Sequence, residues 1–255
     1  MRRAAPFLLC AVILALLAGC GWPSAHPGSP ETAELPDTAP ASGSAAEIIP
    51  KEDPVVPLRE AVDDEWFSNT AMIGHSLMEG MRANSGLDTP DYYTLTGASV
   101  SVLLSSGEVH LPDGSYGTLS GGLSGTDYDH VYLFMGINEV SGALDTLRSD
   151  YQRLLDLVRE KAPHADIYVL AVLPVTEYKA AEGVFTVERI TAYNEMLQTL
   201  CAQQGCWYVD VYNFYADPNG YLPSSASSDG VHLYAGEYPE LLRYIKRHTA
   251  EPTFS

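Results

Sequence analysis

The chain has 255 residues, 46% of them hydrophobic, enough for one domain of ordinary size plus targeting and linker sequence. Its 33 acidic and 14 basic side chains leave a formal net charge of −19. Such a surface repels phosphate backbones, which argues against nucleic acid as a partner, and gives no electrostatic help in binding anionic lipid.

At the N-terminus Arg2 and Arg3 precede an apolar run from Phe7 to Leu17, of signal-peptide length and too short to span a bilayer comfortably. Leu17-Ala18-Gly19-Cys20 follows and resembles the bacterial lipobox, in which the peptidase cuts before the cysteine and that cysteine carries the lipid. On this reading residues 1–19 are a lipoprotein signal peptide and Cys20 is lipidated. The protein is then exported and held to the outward face of the cell membrane, or in the periplasm. Each buried CH₂ of the lipid adds about 0.8 kcal/mol to that anchorage. A plain signal peptide with a chance cysteine is the alternative. From Gly21 to about Pro57, Pro, Ala, Ser, Gly, Thr and acids dominate, so residues 20–57 read as a lipidated cysteine and disordered tether. The folded domain is expected over residues 58–255.

Within that domain short apolar runs alternate with helical patterns. Thr70 to Ile73, Tyr92 to Leu95, His130 to Met135, Asp166 to Val172 and Trp207 to Val211 are the expected strands. Continuous apolar runs suit a parallel sheet covered on both faces. Leu147, Tyr151, Leu154, Leu155 and Val158 form one helical stripe. Ile190, Tyr193, Leu197, Leu200 and Cys201 form a second, and Tyr238, Leu241, Leu242 and Ile245 a third. The alternation predicts an α/β fold, a three-layer α/β/α sandwich with a mainly parallel sheet of about five strands. Ser105 to Thr126, rich in Gly and Ser, reads as a loop with room for a hairpin at Asp113-Gly114.

Ligands of such folds bind beyond the carboxyl ends of the strands, so the residues following each strand are the candidates for chemistry. Gly74-His75-Ser76-Leu77 follows the first strand, and a serine at a strand-to-helix turn exposes both its hydroxyl and an unpaired backbone N–H. An ordinary N-cap serine would look the same. Thr96-Gly97-Ala98-Ser99 follows the second strand and Gly136-Ile137-Asn138-Glu139 the third. Gly97 lets backbone approach a ligand, and the Asn138 amide could donate to a developing negative charge. Asp229-Gly230-Val231-His232 stands before the last helix. A serine hydroxyl needs a base to take its proton, and the base needs a carboxylate to orient it.

Taken together, Ser76, Gly97, Asn138 and His232, in that order and with Asp229 three before the histidine, resemble the four blocks of the SGNH (GDSL-like) hydrolase family over roughly residues 64–248. Leu173-Pro174-Val175, Tyr193-Asn194 and Tyr208-Val209-Asp210 are further features similar to bacterial lipoprotein members. The resemblance implies a flavodoxin-like layered fold and a serine esterase needing no cofactor and no metal. It implies Ser76 as nucleophile, His232 as base and Asp229 as its orienting acid. The oxyanion would rest on the backbone amides of Ser76 and Gly97 and the Asn138 side chain. The family usually has Asp before the serine, where this chain has His75. That departure puts loop geometry in doubt and offers a second imidazole that could compete for the Ser76 proton.

The expected substrate is an acyl ester, carbohydrate-linked, with a short acyl group such as acetyl, in a cell-wall or other polymer. A lipase or lysophospholipase is the second enzymatic reading, and a catalytically weak or inactive binding protein on the same scaffold the third. Exposed aromatics such as Tyr178, Phe214, Tyr215 and Tyr221 could stack on sugar rings near the cleft, although aromatics are more often core or rim residues. Cys10 leaves with the signal and Cys20 would be acylated. An exported location would permit a disulfide between the remaining Cys201 and Cys206, and two buried free thiols would give the same spacing.

Overall fold

The structure is a computed structural model that describes residues 48–250. The expected signal peptide and the lipidated Cys20 lie outside the described residues. Five parallel strands form the centre of the sheet: β1 (Thr70–Gly74), β2 (Asp91–Thr94), β5 (His130–Phe134), β6 (Asp166–Leu170) and β7 (Trp207–Val209). Two short strands, β3 (Val109–His110) and β4 (Tyr116–Gly117), extend it on one edge. The order is β4-β3-β2-β1-β5-β6-β7, with β2–β3 and β3–β4 antiparallel. Seven strands therefore stand where about five were expected. The additional pair is the hairpin, closed over Asp113-Gly114 by the Leu111 N–H donating to Ser115 O at 2.9 Å. β6 and β7 stop short of Val172 and Val211; Asp210 caps the next helix through a 3.1 Å bond from Asn213 N–H.

The helices are α1 (Ser76–Asn84), α2 (Val100–Ser105), α3 (Leu119–Leu123), α4 (Leu144–Lys161), α5 (Glu177–Ala180), α6 (Val187–Gln204), α7 (Val211–Tyr215) and α8 (Tyr238–Lys246). α1 packs with α8 and α8 with α7; on the other side α4 packs with α2, α3 and α6. Every member of the three predicted apolar stripes on α4, α6 and α8 is buried. All five residues of β1 are buried, as a central parallel strand requires.

The expected tether ends earlier than residue 57. Val55 bridges Tyr208 in parallel, Tyr208 N–H donates to Pro54 O at 2.7 Å, and Val56 is buried. A Pro-flanked valine pair has the β-propensity to cover an edge strand, and burying Val56 favours doing so.

Candidate active site

The carboxyl ends of β1, β2 and β5 lie side by side, with Gly74 in register with Thr94 and Phe134. This brings the segments after those strands together. A Cβ on Gly74 would lie 2.5 Å from Met78 Cβ and 2.7 Å from the Phe134 carbonyl oxygen, so the chain turns into α1 there only because the residue is glycine. Ser76 opens α1, and its backbone N–H, in the first turn, has no intrahelical acceptor.

His75 is the N-cap of α1. Its Nδ1 accepts from Leu77 N–H at 3.3 Å, so the ring proton sits on Nε2. The ring is 1% exposed and tilts against Phe134. Burial, reinforced by nearby His232, lowers its pKa to about 3, so it is neutral across the physiological range. The histidine that replaces the usual Asp thus serves as a helix cap, and its acceptor nitrogen is committed to the backbone.

The partner of Ser76 is His232: Ser76 Oγ and His232 Nε2 are 2.8 Å apart across 156 residues of sequence. His232 Nδ1 lies 2.6 Å from Asp229 Oδ2. A carboxylate only accepts, so Nδ1 carries the proton and Nε2 is left to accept from the Ser76 hydroxyl. Asp229 Oδ1 meanwhile accepts from Val231 N–H at 2.9 Å, His232 N–H at 2.8 Å and Ser227 Oγ–H at 3.2 Å. Burial pushes the Asp229 pKa up, but the bonds from the His232 ring and from the His232 and Val231 amides outweigh it and hold the carboxyl well below its usual range. The loop is tied to α5 and its N-cap at both flanks of Asp229. Thr176 N–H donates to Gly230 O at 3.0 Å and Tyr178 Oη–H to Ser228 O at 3.0 Å. His232 and Asp229 keep 47% and 54% of their side-chain surface open to solvent, so the site is accessible.

Gly97 lies in the turn after β2 at φ +75°, a conformation that favours glycine, and nothing crowds the space where a Cβ would be. Asn138 is exposed in the turn after β5, and its Nδ2 donates one hydrogen to Ala98 O at 2.9 Å, leaving the second for another acceptor. Ser76, Gly97 and Asn138 therefore border the same end of the sheet.

Other expectations fare differently. Cys201 and Cys206 are both buried free thiols, so the disulfide is absent. Cys201 ends its stripe on α6, while Cys206 Sγ lies beyond the left-handed Gly205 cap and faces Arg159 and Gln204 O. Burial pushes both thiols up, the Cys206 one to about 11. Tyr215 is a core residue whose hydroxyl donates to Glu237 O, and Phe214 packs on Tyr215 and Tyr244. Tyr178 and Tyr221 do line a common cavity of about 430 Å³, walled also by Thr176, Asp217 and Ser224. It adjoins the loop that carries Asp229. A separate hollow lined by Arg82, Asp88 and His110 lies toward Asp91, at the amino end of β2 and away from Ser76.

Three residues were not singled out from sequence. Ser227 braces Asp229, Thr176 braces Gly230, and Glu139 is half-buried between loops. Only Glu139 left a trace, as the acid directly after Asn138.

A layered α/β sandwich with a serine at the carboxyl end of its central strand, in hydrogen-bond reach of an imidazole, has the layout of a serine hydrolase. The chain belongs to the GDSL-like lipase/acylhydrolase family, whose model matches residues 72–235. It is accordingly a serine-type hydrolase of ester bonds. Among solved structures, a GDSL-like lipase from Bacteroides thetaiotaomicron is 14% identical with a TM-score of 0.57, over 73% of this chain and 89% of the other. An acetyl xylan esterase is 13% identical with a TM-score of 0.51, over 69% of this chain and 97% of the other. These likenesses concern the fold. No curated protein matches the chain.

Proposed function

We propose that the protein removes short O-acyl groups, acetyl above all, from carbohydrate or cell-wall polymers by an acyl-enzyme mechanism with Ser76, His232 and Asp229 as its triad. The observation that carries this reading is the 2.8 Å contact between Ser76 Oγ and His232 Nε2, backed by Asp229 on Nδ1. Ser76 Oγ attacks the ester carbonyl as its proton passes to His232 Nε2. The tetrahedral oxyanion rests on the Ser76 and Gly97 backbone N–H groups and the free hydrogen of Asn138 Nδ2. Collapse breaks the bond to the alcohol, which leaves with the proton from His232. Water, deprotonated by the same nitrogen, then releases the acid and restores Ser76. Asp229 stays ionised, fixing the ring tautomer and stabilising its cation.

The alcohol departs toward His232, and the cavity with Tyr178, Tyr221, Asp217 and Ser224 adjoins the loop that bears it. Aromatic faces with hydroxyl and carboxylate acceptors, and no lysine, arginine or histidine in the wall, suit a neutral sugar better than a phosphate headgroup. Action outside the cytoplasmic membrane, on a lipid anchor at Cys20, completes the proposal and rests on the sequence of residues 1–20 alone. The test is a p-nitrophenyl ester series from acetate to palmitate, together with acetate release from acetylated xylan and isolated cell wall. Highest kcat/KM on acetate with release from a polysaccharide supports the reading, and activity confined to long acyl chains rejects it.

A further inference from the structure

Burying a carboxyl group with one oxygen unsatisfied is a poor way to stabilise a loop, since an amide or an apolar side chain would cost less. Glu139 does so beside the candidate active site. Its Oε1 accepts from Val100 N–H at 3.3 Å and from Tyr193 Oη–H at 3.2 Å. Its Oε2 is buried with no hydrogen-bond partner among the described residues. Such costs tend to be kept where they serve a site and lost elsewhere.

The two bonds have a particular layout. Val100 opens α2, directly after the turn that holds Gly97 and Ala98, and its amide, in the first turn of a helix, has no intrahelical acceptor. Asn138, next to Glu139, donates to Ala98 O. Consecutive residues of the loop after β5 thus hold alternate residues of the loop after β2, by one bond in each direction. The Tyr193 hydroxyl fastens this pair to α6. α6 is itself fixed to the chain after β6, where Val172 N–H donates to Asn194 Oδ1 at 2.8 Å and Asn194 Nδ2 donates to Val172 O at 2.9 Å. Gly136 closes the junction: a Cβ there would lie 2.5 Å from Val172 Cγ2 and 2.6 Å from Tyr193 Cε1.

We infer that Glu139 is a positioning residue that locks the Gly97 loop to the Asn138 loop, and so fixes the spacing of two of the three oxyanion donors. The inference rests on the proposed triad and oxyanion hole. Glu139 itself touches neither substrate nor Ser76. Its effect is on the transition state alone, because the donors it aligns act on charge that develops during attack.

The experiment compares Glu139→Ala, Glu139→Asp and Glu139→Gln with the wild type, measuring kcat and KM on p-nitrophenyl acetate and thermal stability in parallel, with Ser76→Ala as reference. Losing one oxyanion donor outright costs about 10²–10³ in rate, so misaligning two should cost roughly 10–100-fold in kcat. Glu139→Ala should show that loss with KM within about threefold. Glu139→Gln keeps an acceptor for both donors and should recover most of it. Glu139→Asp keeps the charge but shortens the reach by about 1.5 Å, and should behave like alanine; it carries the test if the alanine variant does not fold. Unchanged kcat in the alanine or aspartate variant, beside an inactive Ser76→Ala, would overturn this inference and leave the triad standing. Loss of thermal stability with no loss of kcat would do the same. Full activity of Ser76→Ala would remove the triad, and this inference with it.

Discussion

Glutamine at position 139 should change stability by an amount that grows with pH. Burial raises the Glu139 carboxyl from 4.5 to about 7, against the bonds from Val100 N–H and Tyr193 Oη–H that favour its ionised form; Asp150 of α4 adds to the rise. Tyr193 of α6 and Tyr151 of α4 are the other titratable groups that feel it, and both are held neutral by burial. Below pH 4.5 the folded and unfolded chains both keep the proton, and Glu139 adds no pH dependence. Between 4.5 and 7 the unfolded chain releases it while the folded chain retains it, so stability falls as pH rises. Above 7 the full penalty applies, about 3 kcal/mol at 1.36 kcal/mol per pH unit. Glutamine does not titrate. The stability of Glu139→Gln minus that of the wild type should therefore rise by about 3 kcal/mol from pH 4 to pH 8. For a domain of this size that is roughly 6–12 °C in Tm. Urea unfolding at a series of pH values measures it, and a difference that stays flat across that range would refute the claim that a desolvated, incompletely paired carboxyl sits there.

Further expectations concern neighbouring residues. His75→Ala should lose the acceptor for Leu77 N–H, costing about 1 kcal/mol, whereas His75→Asn should retain the cap; urea midpoints at pH 7 compare them. His75 also acts on stability in the sense opposite to Glu139. Its unfolded form takes up a proton below about 6.5 while the folded ring resists until about 3, so the wild type should lose stability as pH falls through that window and His75→Asn should lose less. Asn138→Ala should lower kcat by about 10²–10³ with little change in KM, measured on p-nitrophenyl acetate. Tyr178→Phe removes the bond to Ser228 O, and kcat should fall several-fold as the Asp229 loop loosens.

The central strands, the three long amphipathic helices and the segments around Ser76, Gly97, Asn138 and His232 were legible because each is a local pattern. Apolar runs ending at glycine mark parallel strands, and a 3.6-residue stripe marks a covering helix. What escaped depends on tertiary partners. α3 contains Gly121 and Gly122, which lower any intrinsic helical signal, and it forms because Thr118 caps it and Leu119 and Leu123 are buried. Residues 48–57 look like linker until the exposed edge of β7 receives Val55 and Val56. Asn, Asp and Ser are the usual helix caps, so His75 gave no capping signal; its ring nitrogen does the same work only because Leu77 N–H lies within reach. Glu139 would pass for a surface acid in its turn, since one donor to its carboxylate is Tyr193, 54 residues away.

The most direct trial of the triad is covalent. Incubation with a fluorophosphonate probe followed by peptide mass spectrometry should place the adduct on Ser76, at a rate that falls at least 10³-fold in His232→Ala while the variant stays folded. An adduct on another residue, or equal labelling of Ser76 without His232, would contradict the account.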